Sequence, residues 1–193
     1  MTTKNALKNK TLRRTQFGDP ILRQVAKPLT KQAALSSKIQ QLIKDMGSTL
    51  STLKLGIGLA APQVGETIAL AVIAIQPTKH RPKAEPFSLV LINPEITETF
   101  GRKKQMWEGC ISTGPGKAGL FAKVPRYSKI KVKFLDKKGT QHHQIYKDLP
   151  AQVIQHEADH LNGILFVDRV KDTKTYMTYH EYLKHIAHKT ARS

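Results

Sequence analysis

The chain has 193 residues, and its 32 Lys and Arg against 14 Asp and Glu give a formal net charge of +18. That length suits one domain, and 39% hydrophobic residues suffice for a core, which excludes wholesale disorder. No apolar run approaches the roughly 20 residues of a bilayer span, no secretory signal is expected at the start, and a single cysteine, Cys110, excludes an internal disulfide framework. The charge predicts attraction to polyanions such as nucleic acid or a ribosome. With 6% aromatic residues and no nucleic-acid motif of defined geometry, sequence-specific recognition of nucleic acid is not expected.

Residues 1–16 are basic, with no acid before Asp19, and are expected to form a flexible leading segment. A cytoplasmic bacterial terminus is the expectation and an organellar presequence the alternative. Over 31–54, Leu35, Ile39, Leu42, Ile43, Met46, Leu50 and Leu53 recur at three-and-four spacing, which predicts an amphipathic helix ended by Gly56 and Gly58. Short apolar runs at 68–76 and 88–92, bounded by turn formers, predict buried strands. Residues 128–135 alternate apolar and basic side chains, a half-exposed strand; 136–139 supply a turn and 140–146 a returning strand. A second helix follows, with Asp148 as its cap, Pro150 in its first turn and Gly163 as its stop. A last helix is predicted within 173–190, carrying Tyr176, Tyr179, Leu183 and Ile186 on one side.

The second helix carries His156-Glu157-Ala158-Asp159-His160. Residues four apart stack on one helix face, so both imidazoles can reach one metal ion, with Glu157 placed as a general base toward water. The bland alternative is a charged helix with two unrelated histidines. A hydrolytic site needs a third ligand and an open position. In metzincin proteases a third His follows three residues after a Gly; here that position is Phe166, so the protease pattern fails. Glu181 could act as a distant carboxylate ligand, but nothing around it supports the role. Cys110 is the stronger candidate, since a thiolate is a soft ligand suited to zinc or iron, although a lone cysteine is by default a small buried apolar residue. The stretch 56–63, GIGLAAPQ, allows close backbone approach and ends in Gln63, whose amide could donate to an oxyanion. His142 and His143 are neighbours on a strand and face opposite ways, so they are read as surface residues.

Three motifs, GIGLAAPQ at 56–63, EGCIS at 108–112 and QHEADHLNG at 155–163, together resemble the peptide deformylase family and stand in its order. The resemblance runs from about Phe17 to Val170 and takes in Asn93-Pro94 and Val124-Pro125-Arg126. It implies an α+β fold: a single domain of antiparallel sheets packed around the central His-bearing helix, with amphipathic N-terminal and C-terminal helices. On this reading 17–170 is the catalytic domain and 171–193 a basic C-terminal helix and tail. The resemblance further implies that Cys110, His156 and His160 hold one divalent ion, with Fe(II) favoured and Zn(II) or Ni(II) able to occupy the site. Glu157 would be the base, and Gln63 Nε2 and the Ile111 N–H would stabilise the oxyanion while the formyl group leaves an N-formylmethionyl nascent peptide. Ile57, Gly58, Gly109 and Val153 are expected to bind substrate, and Gln152 stands near the same pocket. Glu108, Arg126 and Asp159 are expected to support the ligands, a surface salt bridge being the simpler alternative.

Two departures from the family pattern stand out: Ile111 where Leu is more usual, and a longer, Gly-rich 113–123 that alters the expected cleft rim. The rivals are another metallo-amidase or metallopeptidase, and a non-catalytic ribosome- or RNA-binding protein. Ribosome contact through the basic C-terminal segment is compatible with catalysis.

Overall fold

A computed structural model describes residues 9–53, 56–114 and 119–187. Its strands form two antiparallel sheets. The larger takes β1 (Gly58–Ala60), β2 (Leu70–Ile75), β3 (Phe87–Phe100), β6 (Lys129–Leu135) and β7 (Gln141–Lys147) in the order β1-β2-β3-β6-β7. The smaller takes β4 (Lys104–Gly109), β5 (Leu120–Arg126) and β8 (Met177–Thr178) in chain order. β1 and β4 each lie at an edge of their sheet.

The apolar run in β2 is continuous because both faces are covered. Leu70 and Val72 pack with Ile39, Ile43, Met46 and Leu50 of helix α2 (Ser37–Ser51). Ala71, Ile73 and Ile75 pack with Ala151, Val153, Ile154 and Leu161 of helix α3 (Asp148–Leu161). Successive strand residues face opposite ways, so one strand serves two cores. β6 obeys the same rule: Ile130, Val132 and Phe134 face the α3 core, while Lys131 and Lys133 pair with Glu98 and Glu95. A third cluster, Cys110, Ala122, Val124 and Phe166, joins the small sheet to helix α4 (Phe166–Arg169). Phe166 is thus a core residue, which accounts for the absence of a ligand there.

The expected hairpin forms between β6 and β7, and the expected strands are present; the second continues to Phe100 through register shifts next to Asn93, which adopts φ 51°. Several expectations need correction. The helix predicted over 31–54 is two helices, α1 (Lys31–Ala34) and α2, because Ser36 accepts from Ile39 N–H and starts a new one. Asp148 does not cap α3: it adopts φ 52°, and its N–H donates to Ser128 O. Gly163 does end the helix, at φ 70°, where a Cβ would meet Arg23 O at 2.4 Å.

The expected C-terminal helix is present but starts late: a 3-10 turn (Thr173–Thr175) and β8 come first, and helix α5 (Tyr179–Tyr182) then runs on as a π-helical stretch (Leu183–Ala187), which leaves Tyr176 outside it; 188–193 lie outside the described residues. The leading segment is tied down over 10–17 rather than loose. Lys10 and Leu12 N–H donate to Asp45 and Thr49 of α2, Thr15 N–H to Gln63 O, and Phe17 N–H to Ser112 O. Residues 1–8 lie outside the described residues. Among the described residues no helix is long and apolar enough to cross a membrane.

Candidate metal centre

Two elements converge on the centre. In α3, Gln155 anchors the helix: its Nε2 donates to Tyr127 O at 2.8 Å, and its Oε1 accepts from Tyr127 N–H at 3.0 Å. The next residue, His156, and His160 one turn on lie on the same helix face, their ring centroids 4.9 Å apart. β4 presents Glu108 toward His156, and Cys110 follows at its end. The ligand atoms of Cys110, His156 and His160 all lie within 4.8 Å of one another. Cys110 Sγ and His160 Nε2 are 3.2 Å apart.

His156 Nδ1 donates to Glu108 Oε2 at 3.0 Å, which fixes the tautomer and leaves Nε2 to the cluster. Glu108 is held in turn by Arg126, whose Nε and Nη2 donate to its two oxygens at 2.8 and 3.1 Å. Arg126 Nη1 reaches Asp159 Oδ2 at 2.6 Å, and Asp159 also takes Arg169 Nη2 at 2.7 Å. Glu108, Arg126 and Asp159 are buried, so this is an interior network and not a surface salt bridge.

The electrostatics suit a cation. Burial opposes the Cys110 thiolate, but His160 and His156 beside it hold the thiol well below its ordinary range. Burial likewise opposes a charged His156, yet Cys110 and Glu108 hold its pKa well above the usual value. Glu108 is driven down to about 2, against burial, by His156 and Arg126. One thiolate and two imidazoles, buried and mutually close, fit a divalent transition metal.

Glu157 shares the helix but not the ligand set. It is buried, its Oε2 has no hydrogen-bond partner among the described residues, and burial raises its pKa to about 7 against the pull of both histidines. Its room comes from Gly58, where a Cβ would stand 2.0 Å from Glu157 Oε1. Gln63 is also buried. Its Oε1 accepts from Ala60 N–H at 2.8 Å, which turns Nε2 toward Ser112 Oγ at 3.2 Å and Cys110 Sγ at 3.5 Å. Ile111 follows the cysteine, and its carbonyl accepts from Arg14 Nη1 at 3.3 Å.

Val153 sits in the α3 core with Ile57 against it. Gln152, whose direction the sequence leaves open, donates from Nε2 to Trp107 O at 2.8 Å. Gly109 lies under the Phe121 ring, where a Cβ would stand 2.5 Å from ring atoms. His142 pairs with Asp136 at the hairpin turn, and Glu181 pairs with His185.

Sequence reasoning missed three contributors. Ser112, inside a quoted motif, holds Gln63; Arg169 completes the Asp159 pairing; Arg14 fastens the loop after Cys110. Only Ser112 had a local signal. Of the expected rim, 115–118 lie outside the described residues, and from Leu120 onward the chain is β5.

Comparison with known proteins agrees with this geometry. The family model described as Polypeptide deformylase matches residues 12–176. Peptide deformylase 2 of Nostoc sp. is 38% identical over 170 residues, covering 86% of this chain and 90% of its own length. The peptide deformylase of Chlorobaculum parvum is 43% identical over 155 residues, covering 80% and 77%. Among solved structures, the class I type b peptide deformylase from Acinetobacter baumannii with Met-Ala-Ser bound aligns with a TM-score of 0.78 at 33% identity, over 84% of this chain and 100% of that one. The peptide deformylase from Synechococcus elongatus in complex with actinonin gives 0.74 at 36% identity, over 95% and 90%. With a matching family model over most of its length and a Cys-His-His cluster set around a buried glutamate, the chain belongs to the polypeptide deformylase family.

Proposed function

We infer that this protein is a metal-dependent hydrolase that removes the formyl group from the N-terminal N-formylmethionine of newly made polypeptides and releases formate. The observation that carries the reading is the convergence of Cys110, His156 and His160 beside a buried Glu157 oxygen with no hydrogen-bond partner among the described residues.

Cys110, His156 and His160 would hold the ion, which we propose to be Fe(II), with Zn(II) or Ni(II) able to replace it. When bound, such an ion supplies Lewis acidity to the formyl carbonyl and lowers the pKa of water. The chain's own groups do the rest. Glu157 takes a proton from the attacking water and later delivers it to the departing amine, a role served by a pKa near neutrality. Gln63 Nε2, oriented by the Ala60 N–H on its other end, and the backbone N–H of Ile111 donate to the oxyanion as it forms. The Glu108–Arg126–Asp159 network holds His156 in its donor tautomer.

The peptide main chain is held as an added strand between the edges of β1 and β4, at Gly58 and Gly109. The methionine side chain enters the apolar ground by Ile57 and Val153. Residues 17–170 form the catalytic unit. The basic C-terminal segment contacts the ribosome, where formylated chains emerge, and the protein works in the bacterial cytoplasm.

A metallopeptidase reading is disfavoured by Phe166, which is packed in the core where a third His would stand. A purely binding protein has no chemical need for Cys110, Gln63, Glu157 and both histidines together. Glu157→Ala decides the matter: it is expected to keep about one metal ion per chain and to lose formate release from formyl-Met-Ala-Ser by at least about a hundredfold. Near-normal turnover in that variant would remove Glu157 from the reaction.

A further inference from the structure

The smaller sheet carries an aromatic layer that the hydrolysis itself does not use. Trp107 and Gly109 on β4 are paired with Lys123 and Phe121 on β5. Because side chains alternate, these four face away from Glu108 and Cys110. Phe121 lies over Gly109, close enough that a Cβ there would meet the ring at 2.5 Å.

Onto this face the C-terminal segment folds back. β8 pairs with the start of β5, Leu120 with Thr178 and Phe121 with Met177, and Tyr179 N–H donates to Gly119 O at 2.8 Å. The turn that follows places Tyr182 flat on Phe121, with centroids 4.1 Å apart and planes 14° from parallel. Tyr182 also stands 5.7 Å from Trp107, and Tyr179 stacks on Phe121 at 5.9 Å. Arg81, from the connection between β2 and β3, is near enough to Tyr182 and Tyr179 for its charge to act on both phenols.

A peptide bound alongside β4 has to send successive side chains to opposite faces of the sheet. Trp107 O already points off the free edge, to Gln152, and Gly109, two residues on, shares that orientation. With the methionine on the Glu108 and Cys110 face, the next residue emerges on the face of Trp107, Phe121 and Tyr182.

We propose that Tyr182, stacked on Phe121 beside Gly109, makes the C-terminal segment a specificity-determining wall that selects formylmethionyl peptides with an aromatic or bulky apolar second residue. This rests on the deformylase reading and adds to it a substrate preference carried by residues of this chain beyond the catalytic motifs.

The test compares formate release from formyl-Met-Phe-Ser and formyl-Met-Ala-Ser. The intact protein is expected to favour the phenylalanine peptide in kcat/KM by roughly threefold to tenfold, the range of one aromatic contact. Tyr182→Ala should erase that ratio while leaving formyl-Met-Ala-Ser within about twofold of the parent, and Tyr182→Phe should restore the ratio. A merely structural role would lower both peptides together. Should Tyr182→Ala lose its metal, emission of Trp107, the sole tryptophan, decides in the intact protein: Met-Phe-Ser should perturb it and Met-Ala-Ser should not. No preference in the intact protein, or a ratio unchanged in Tyr182→Ala, overturns the proposal. Absence of formate from every peptide would instead overturn the deformylase reading.

Discussion

Glu157 is caught between two demands: it must be buried beside cations, and it must still exchange a proton. Burial lifts its pKa to about 7, while His156 and His160 keep it from rising further. The space it occupies exists only because residue 58 has no side chain, since a Cβ would fall 2.0 Å from Oε1. Gly58→Ala should therefore displace the carboxylate without touching a ligand. The expected result is one bound ion per chain by elemental analysis and a fall in kcat of about a hundredfold; unchanged kcat would mean that the carboxylate has room to move aside. At this scale the sequence was highly legible. The four-residue spacing of His156 and His160 states a shared helix face, and the glycines at 56 and 58 announce a close approach. Gln152 was not legible, because its direction depends on how α3 lies against the edge of β4.

At the scale of elements, α3 and β4 are joined by one buried chain of charges from Asp159 through Arg126 and Glu108 to His156. Arg126 compensates two carboxylates at once, so truncating it leaves buried Glu108 without its main cation and Asp159 with Arg169 alone. Arg126→Ala is expected to destabilise the fold by about 3–5 kcal/mol, read from denaturant unfolding, as for other broken buried pairs. A loss below about 1 kcal/mol would mean that the network contributes no more than an exposed pair. Glu108 and Arg126 were foreseeable as partners from their motifs. Their burial was not, since it follows from α3 packing on the face of the small sheet that carries them. The C-terminal helix begins later than its periodicity suggests: Tyr179, Leu183 and Ile186 lie in it, but pairing of Met177 and Thr178 with β5 keeps Tyr176 out.

Across the whole molecule, segments distant in sequence are fastened around the centre. The leading strand of chain runs over α2 to Gln63 and Ser112, and Arg23 grips Asp168 near the other end. Burial alone would raise the Asp168 carboxyl, but hydrogen bonds from Arg23 and the Leu165 N–H outweigh it and hold the pKa below the ordinary value. A carboxyl depressed in the folded state adds stability above its unfolded pKa, and that stability is lost as pH falls through the folded value. Asp168→Asn should thus cost about 1 kcal/mol at pH 7, and the difference from the parent should shrink on acidification below about pH 4. A gap that persists unchanged in acid would mean that ionisation of Asp168 is not its source. The two sheets and the α3 core could be anticipated from apolar runs and from the resemblance together. The docking of residues 10–17 could not, because Lys10, Leu12 and Thr15 attach through backbone groups that leave no side-chain pattern.

The most direct measurement is metal binding by the intact protein and by Cys110→Ala, read together as stoichiometry and as thiolate-to-metal absorption in the cobalt-substituted form. The expected result is one ion per chain with a thiolate charge-transfer band in the intact protein, and loss of both the band and tight binding in the variant. A full equivalent of ion held by Cys110→Ala at parental affinity would contradict a centre built from Cys110, His156 and His160.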